Sequence, residues 1–383
     1  MFFASKTFYS ILHGSEKLQD IYEKLPVYDI KRCMTYLNEQ VKTMKKILIL
    51  STGGTIASVP TEDGLVPALT GKQMTERIPE LGRLAALECH TICNLDSTNV
   101  QPEEWIQIAE EVRKEGISYD GVVILHGTDT MAYTAAALSF LLQPVKKPVI
   151  LTGSQIAMEE EGSDAISNLI QAVQTAVSGV PGVFIVFAGK IIKGVRAKKM
   201  CTRELEAFHS MNEEPAGRIE NGQIIWRFEE CGKNTVGDGI PASQKTDYEI
   251  KLNPNIALVK LYPGIEEKLL HAVIEAGYEG IILEAFGCGG IPNYRRNLLP
   301  ELERAIQKGI AVVVTTQCEY NGVNLDLYEV GVLAKKLGVL SAKDMTIEAL
   351  TTKLMWVLGQ TKDRGKIEEM MNTCYEGEFT VER

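Results

Sequence analysis

No apolar run in this 383-residue chain reaches the length of a membrane span. Its first residues, Met1-Phe2-Phe3-Ala4-Ser5-Lys6, lack the basic start and clean apolar core of a secretory leader. Cysteine is sparse and scattered, at Cys33, Cys89, Cys93, Cys201, Cys231, Cys288, Cys318 and Cys374, with no C-x-x-C pair. That excludes a disulfide-stapled small domain and gives no zinc spacing; reduced thiols in a cytoplasmic protein fit this usage. Cys89, Thr91 and Cys93 share one face of an expected strand with His90 on the other, which reads as small core residues rather than a metal site. There is no P-loop, no G-x-G-x-x-G after a strand and no G-x-S-x-G elbow. Positive charge is also short: 40 Lys and Arg stand against 50 Asp and Glu, a net charge of −10. Such a surface disfavours nonspecific binding to nucleic acid or anionic membrane. It leaves room for a small zwitterionic substrate, because a local site can oppose the net field.

What is present is an alternation of apolar strands and helices. Strands are expected at 46–50, 87–95, 121–125, 148–152 and 183–187, and helices at 71–77, 102–115, 130–142 and 164–178. This order predicts a mostly parallel sheet. A segment rich in Gly and Pro with little apolar periodicity follows, and then a second series of strands and helices from Ile256. The expected fold is a two-domain α/β protein, with a larger N-terminal, mostly parallel sheet domain over 44–228, a linker over 229–255 and a smaller flavodoxin-like domain over 256–383. Residues 1–43, rich in Tyr, Lys and Glu, read as an appendage outside this fold. Gly287-Cys288-Gly289-Gly290 has the look of a phosphate-binding turn but is too short to specify one.

Two segments carry the chemistry. The strand Lys46–Leu50 runs into Ser51-Thr52-Gly53-Gly54-Thr55-Ile56, and the strand Gly121–Leu125 runs into His126-Gly127-Thr128-Asp129-Thr130. Parallel sheets collect ligand sites at the carboxyl ends of strands. Two such turns there gather hydroxyls, a carboxylate and free backbone N–H groups, the equipment for attacking a carbonyl and holding an oxyanion. Read from the residues alone, each has a plainer alternative. Thr55 could cap a glycine turn, Thr128 or Asp129 could cap the next helix, and the lysines of Lys193–Met200 could form a solvated loop. Asp164 reads as the N-cap of the helix that follows it.

Thr-Gly-Gly-Thr-Ile followed by His-Gly-Thr-Asp-Thr resembles the L-asparaginase family, in particular the cytoplasmic bacterial type I branch, and the resemblance runs from about Met44 to the C-terminus. It implies catalytic roles for Thr55 as the acyl-accepting nucleophile and for Thr128, Asp129 and Lys199 in proton transfer. It implies that Asp96 and Ser97, together with Thr128 and Asp129, bind the α-amino and α-carboxylate ends of an amino acid. Thr152-Gly153-Ser154-Gln155 would line the same crevice. The family's lid tyrosine is matched by Leu65, so another base or a water must help to activate Thr55.

The resulting expectation is a hydrolase converting L-asparagine and water to L-aspartate and ammonia, with no metal or organic cofactor, acting in the cytoplasm as a homodimer or homotetramer. L-Glutamine is a second candidate substrate. The alternatives are the ammonia-releasing subunit of a tRNA-dependent amidotransferase and a non-catalytic amino-acid sensor. The former usually carries an extra N-terminal barrel, for which residues 1–43 read as too short and too helical.

Overall fold

The computed structural model describes residues 44–61, 64–67, 71–227 and 248–381, and for 57–61 and 64–67 the backbone alone. The expected appendage 1–43 and most of the expected linker lie outside the described residues. The N-terminal part contains β1 (Lys46–Gly53), β2 (Ser58–Thr61), β3 (Gly64–Pro67), α1 (Gly71–Glu76), α2 (Leu81–Leu84), β4 (Ala86–Leu95), α3 (Pro102–Lys114), β5 (Gly121–Leu125) and α4 (Met131–Leu141). It continues with β6 (Pro148–Thr152), α5 (Ala165–Ser178), β7 (Gly182–Phe187), β8 (Lys190–Lys193), β9 (Ala197–Lys199), β10 (Phe208–Ser210), β11 (Gly217–Glu220) and β12 (Gln223–Trp226). The C-terminal part contains β13 (Ile256–Lys260), α6 (Glu267–Glu275), β14 (Gly280–Ala285), α7 (Leu299–Gln307), β15 (Ala311–Thr316), α8 (Glu329–Leu337), β16 (Leu340–Ser341), α9 (Ile347–Gln360) and α10 (Arg364–Asn372).

The large sheet has eight strands in the order β12-β11-β8-β7-β6-β5-β1-β4. From β4 to β7 it is parallel, and β8, β11 and β12 extend it antiparallel. Its central strands are mostly apolar and buried along nearly their whole length because both faces are covered. Alternate residues divide between the two sides, as the period of a strand requires. Ile47, Ile49, Val123 and Ile150 pack with Leu169 and Val173 of α5. Leu48, Leu50, Ile124 and Leu151 pack with α4.

Helix α4 is apolar all round, and ten of its residues are buried. A helix of that kind needs cover on every side. It has the large sheet on one face and α9 on the other, with Phe140 stacked on Trp356 at 5.6 Å between ring centroids. The smaller domain is a four-stranded parallel sheet in the order β13-β14-β15-β16, with helices against it. This is the two-domain α/β architecture expected from the sequence. The Gly287–Gly290 segment is a tight turn closed by a bridge between Phe286 and Gly290. Gly289, at φ +104°, is packed so closely that an added Cβ would lie 2.8 Å from the Leu325 and Val323 side chains, so this glycine serves packing. After Thr55 the chain forms an antiparallel hairpin, β2 with β3, pairing Ser58 with Pro67. Among the described residues no helix is long and apolar enough to cross a membrane.

Candidate active site

Counted in chain order, the five parallel strands β1, β4, β5, β6 and β7 lie side by side as 2-1-3-4-5. The chain leaves β1 for β4 on one side and returns for β5 on the other, so the crevice of the sheet opens at the carboxyl ends of β1 and β5. Register sets those ends level: Ser51 lies opposite Leu125, and Leu125 opposite Thr152. The turns after β1, β5 and β6 are therefore brought together.

The turns meet through glycine. An added Cβ on Gly54, at φ +82°, would lie 2.3 Å from the Gly127 nitrogen, and one on Gly127 would lie 2.6 Å from Ser97 Oγ. Contacts that short admit no side chain, so backbone runs against backbone between the Thr55 and Thr128 turns. Gly54 N–H also donates to Leu95 O at 3.0 Å. Thr55 follows at once, half-buried at the first position of a short 3-10 turn, Thr55–Ala57. Thr52 is buried, and its hydroxyl donates to Leu125 O at 2.9 Å, tying β1 to β5.

Lys199 closes the constellation. Its ammonium donates to Thr128 Oγ1 at 2.7 Å and to Asp129 Oδ1 at 2.7 Å. Thr128 Oγ1 in turn donates to Gln155 Oε1 at 3.1 Å, and Gln155 Nε2 donates to Glu204 O at 3.2 Å. The hydroxyl thus has a fixed direction, with a cation on its lone pair and its proton toward an amide oxygen. The Lys199 side chain is 16% exposed and that of Asp129 54%, so the pair sits at the rim of the crevice rather than in the core.

Ser97 lies beneath this group. Its buried Oγ accepts from Asp129 N–H at 3.2 Å, and its carbonyl accepts from the Thr130 hydroxyl at 2.6 Å. Asp96 caps the short 3-10 turn Ser97–Asn99, with Oδ1 accepting from the Thr98 hydroxyl at 2.7 Å and from Thr98 N–H at 2.8 Å. Those two hydrogen bonds, the hydroxyl's first, hold its carboxyl below the usual carboxylate range. Both fall on one oxygen, so Asp96 is anchored as an anion through Oδ1.

His126 is a support. It is fully buried, and its Nδ1 lies 2.7 Å from the Gly127 carbonyl, which can only accept, so the proton is on Nδ1. Nε2 then accepts from the Thr134 hydroxyl at 2.9 Å, and that hydroxyl accepts from Trp105 Nε1 at 2.9 Å. Burial pushes the imidazole down to about 4, with the Gly127 hydrogen bond opposing. It is neutral at physiological pH, and both ring nitrogens are engaged by hydrogen bonds within the protein.

Asp164, Asn168 and Gln155 take roles beyond those legible in the sequence. Asp164 makes no side-chain cap for α5. Its carboxylate instead accepts from the N–H groups of Gln155, at 3.0 and 3.1 Å, and Ile156, at 3.1 Å, because the turn after β6 folds back over the helix start. Asn168, buried on the apolar face of α5, braces the same turn through Gly153 O at 3.0 Å and Asp164 Oδ2 at 2.9 Å. An amide on a mostly apolar helix face is the signal in the sequence. Gln155, on that turn, is the residue that orients Thr128. Of the six residues named from the sequence, Ser97, Thr128, Asp129 and Lys199 are hydrogen-bonded together. Thr55 and Asp96 adjoin them through the backbone, and the Asp96 side chain turns to Thr98. Among the described residues no group of three or more His, Cys, Asp and Glu is arranged to hold a metal ion.

The chain is similar to known proteins over most of its length. Residues 46–231 match the family described as Asparaginase, N-terminal, and residues 255–371 match the Glutaminase/Asparaginase C-terminal domain. The chain is 41% identical over 337 residues to an L-asparaginase of Thermococcus kodakarensis, covering 88% of this chain and 99% of that relative. It is 38% identical over 348 residues to a glutamyl-tRNA(Gln) amidotransferase subunit of Pyrococcus abyssi, covering 88% of this chain and 77% of the relative. Among solved structures, the thermostable L-asparaginase from Thermococcus kodakarensis superposes with a TM-score of 0.79 at 40% identity, covering 88% of this chain and 100% of its own. L-asparaginase I from Vibrio cholerae superposes with a TM-score of 0.76 at 31% identity, with the same coverage.

Proposed function

The chain belongs to the asparaginase family, and on that footing we propose that it is an L-asparagine amidohydrolase, releasing L-aspartate and ammonia. The observation that carries the proposal is the Lys199 ammonium held by Thr128 Oγ1 and Asp129 Oδ1 at the crevice beside Thr55. In this reading the Thr55 hydroxyl attacks the side-chain carbonyl carbon. Backbone N–H groups of the Gly53-Gly54 turn, or a bound water, stabilise the oxyanion. Ammonia leaves, and water positioned by Thr128, Lys199 and Asp129 hydrolyses the acyl ester at Thr55, with protons passing through the Thr128 hydroxyl. Asp96 Oδ2 and Asp129 grip the α-ammonium group, and Ser97 with neighbouring N–H groups receives the α-carboxylate. No metal or organic cofactor enters. The assembly proposed is a homodimer or homotetramer in the cytoplasm, which light scattering would size.

A second reading has its own support, since several similar proteins are named as subunits of glutamyl-tRNA(Gln) amidotransferases. The match extends over 99% of the Thermococcus kodakarensis L-asparaginase and 77% of the Pyrococcus abyssi relative. L-Glutamine differs from L-asparagine by one methylene, a distinction worth about 1–3 kcal/mol in a pocket.

The test is ammonia release from purified protein with L-asparagine and L-glutamine side by side, with Thr55→Ala as control. Asparagine turnover that vanishes in Thr55→Ala is the expected result, and the ratio of the two substrates ranks them. A folded protein that turns over neither substrate overturns the hydrolase reading in favour of the amidotransferase component. Asparagine binding without ammonia, with affinity unchanged in Thr55→Ala, identifies a sensor.

A further inference from the structure

Lys199 does not sit on the large sheet. It ends β9, a strand of three residues whose partner is β10, with Lys199 opposite Phe208. So short a ladder fixes little, and something else must hold the lysine in register with Thr128. The residues just before it show what does. Gly194, Val195 and Arg196 form a buried 3-10 turn. Gly194 lies so close to α4 that an added Cβ would be 2.8 Å from Ala135 O. This wedges one end of the turn against the helix that follows Asp129.

The other end is held by Arg196, whose guanidinium is almost fully buried. Nε donates to Gly377 O at 2.7 Å, Nη1 to Asp344 Oδ2 at 3.1 Å, and Nη2 to Thr380 Oγ1 at 3.5 Å. Nη1 also lies 3.5 Å from Asp344 O, and Nε lies 3.7 Å from Glu213 Oε2. Asp344 in turn accepts from Thr380 N–H at 2.7 Å and from the Thr380 hydroxyl at 2.5 Å, while Asn212 Nδ2 donates to Asp344 O at 3.0 Å. Arg196 O accepts from Met211 N–H at 2.9 Å, linking the turn to the chain beyond β10.

The tail that receives Arg196 is itself rigid. Glu378, between Gly377 and Thr380, is fully buried against fully buried Lys353 at 2.7 Å. Lys353 also donates to Met371 O at 3.0 Å and Thr373 O at 2.7 Å. An ion pair satisfied this completely cannot shift without stranding a charge. Arg196 and the groups that hold it bear on the crevice through the backbone that runs from Arg196 to Lys199.

We propose that Arg196, clamped by Asp344 and by the C-terminal tail at Gly377 and Thr380, is a positioning residue that sets the Lys199 ammonium between Thr128 and Asp129. The proposal rests on the amidohydrolase reading for its kinetic consequence and on the structure alone for its geometry. A misplacement of about 1 Å in a reacting constellation can cost 100-fold in rate. Lysine keeps the charge of arginine but cannot make the forked set of contacts.

The experiment is a double-mutant cycle with a crystal structure. Arg196→Lys is expected to lower kcat about 10- to 100-fold with KM changed less than about threefold, and to cause no further loss in a Lys199→Met background. A purely structural role would lower both backgrounds alike, and that result overturns the proposal, as does a rise in KM at unchanged kcat. Should Arg196→Lys fail to fold, Thr380→Val, which removes one hydroxyl and keeps the Arg196–Asp344 pair, is read in the same cycle. The crystal structure of the folded variant decides the geometry whatever the turnover. Lys199 Nζ beyond hydrogen-bond reach of Thr128 Oγ1 is expected, and Nζ within about 0.5 Å of its present place overturns the inference. Absence of ammonia release by the unaltered protein counts against the amidohydrolase reading and leaves the geometric outcome standing.

Discussion

Lys199 Nζ and Thr128 Oγ1 lie 2.7 Å apart across 71 residues of chain, and the hydroxyl so engaged passes its own proton toward Gln155 Oε1. A threonine in that setting is wired at both ends. Replacing Lys199 with Met removes the cation and keeps the stem. A loss in kcat of about 100- to 10,000-fold is expected, the range for a positioned acid–base group, with circular dichroism unchanged. Activity within a factor of about two of the parent would remove Lys199 from the proton path.

His126 makes stability depend on acid. Its folded value is near 4 against an ordinary 6.5. In that window the unfolded chain takes up a proton that the folded chain refuses. Its contribution is therefore complete above the ordinary value and is lost as pH falls through the window, by up to about 3 kcal/mol. Urea unfolding at about pH 7.5 and about pH 5, compared with His126→Gln, measures it. The substitution should flatten the pH dependence, and equal slopes in the two proteins would refute the assignment.

Gly54→Ala should be severe. The left-handed backbone and the 2.3 Å approach of the new Cβ to the Gly127 nitrogen act together, for a cost of about 2–4 kcal/mol. Gly162 is the control, since it shares a positive φ, +80°, with open space around its Cβ position. Gly162→Ala should cost only about 1 kcal/mol. Denaturation midpoints of the two variants test the difference.

The Lys353–Glu378 pair should respond to breaking more than to removal. Burial pushes Lys353 down, opposed by the Glu378 carboxylate, while Glu378 is held below its usual range because Lys353 and backbone N–H groups outweigh its burial. Lys353→Met alone strands a buried carboxylate and should cost about 3–5 kcal/mol. Lys353→Met with Glu378→Leu should recover part of that loss. Chemical denaturation of both variants reads it, and additive losses would show that the charges are not coupled.

The sequence by itself determined the alternating strands and helices, because continuous apolar runs and 3.6-residue periodicity are local properties. The helix expected over 102–115 is observed as Pro102–Lys114, where Glu104 accepts from Gln101 N–H at 2.8 Å. The same local character exposed the two Gly-Thr turns. Which residues meet was decided by tertiary structure alone. The 2-1-3-4-5 strand order puts the β1 and β5 turns in one crevice, and a strand order is a property of long-range pairing that no window of sequence contains. Asp164 illustrates the limit. Its type suits a cap, but the N–H groups of Gln155 and Ile156, brought over it by the turn after β6, compete for the same carboxylate and hold it. Arg196 illustrates it further. A basic residue in a basic stretch is locally indistinguishable from a solvated one, and it became a buried anchor because residues 344, 377 and 380 fold back to meet it.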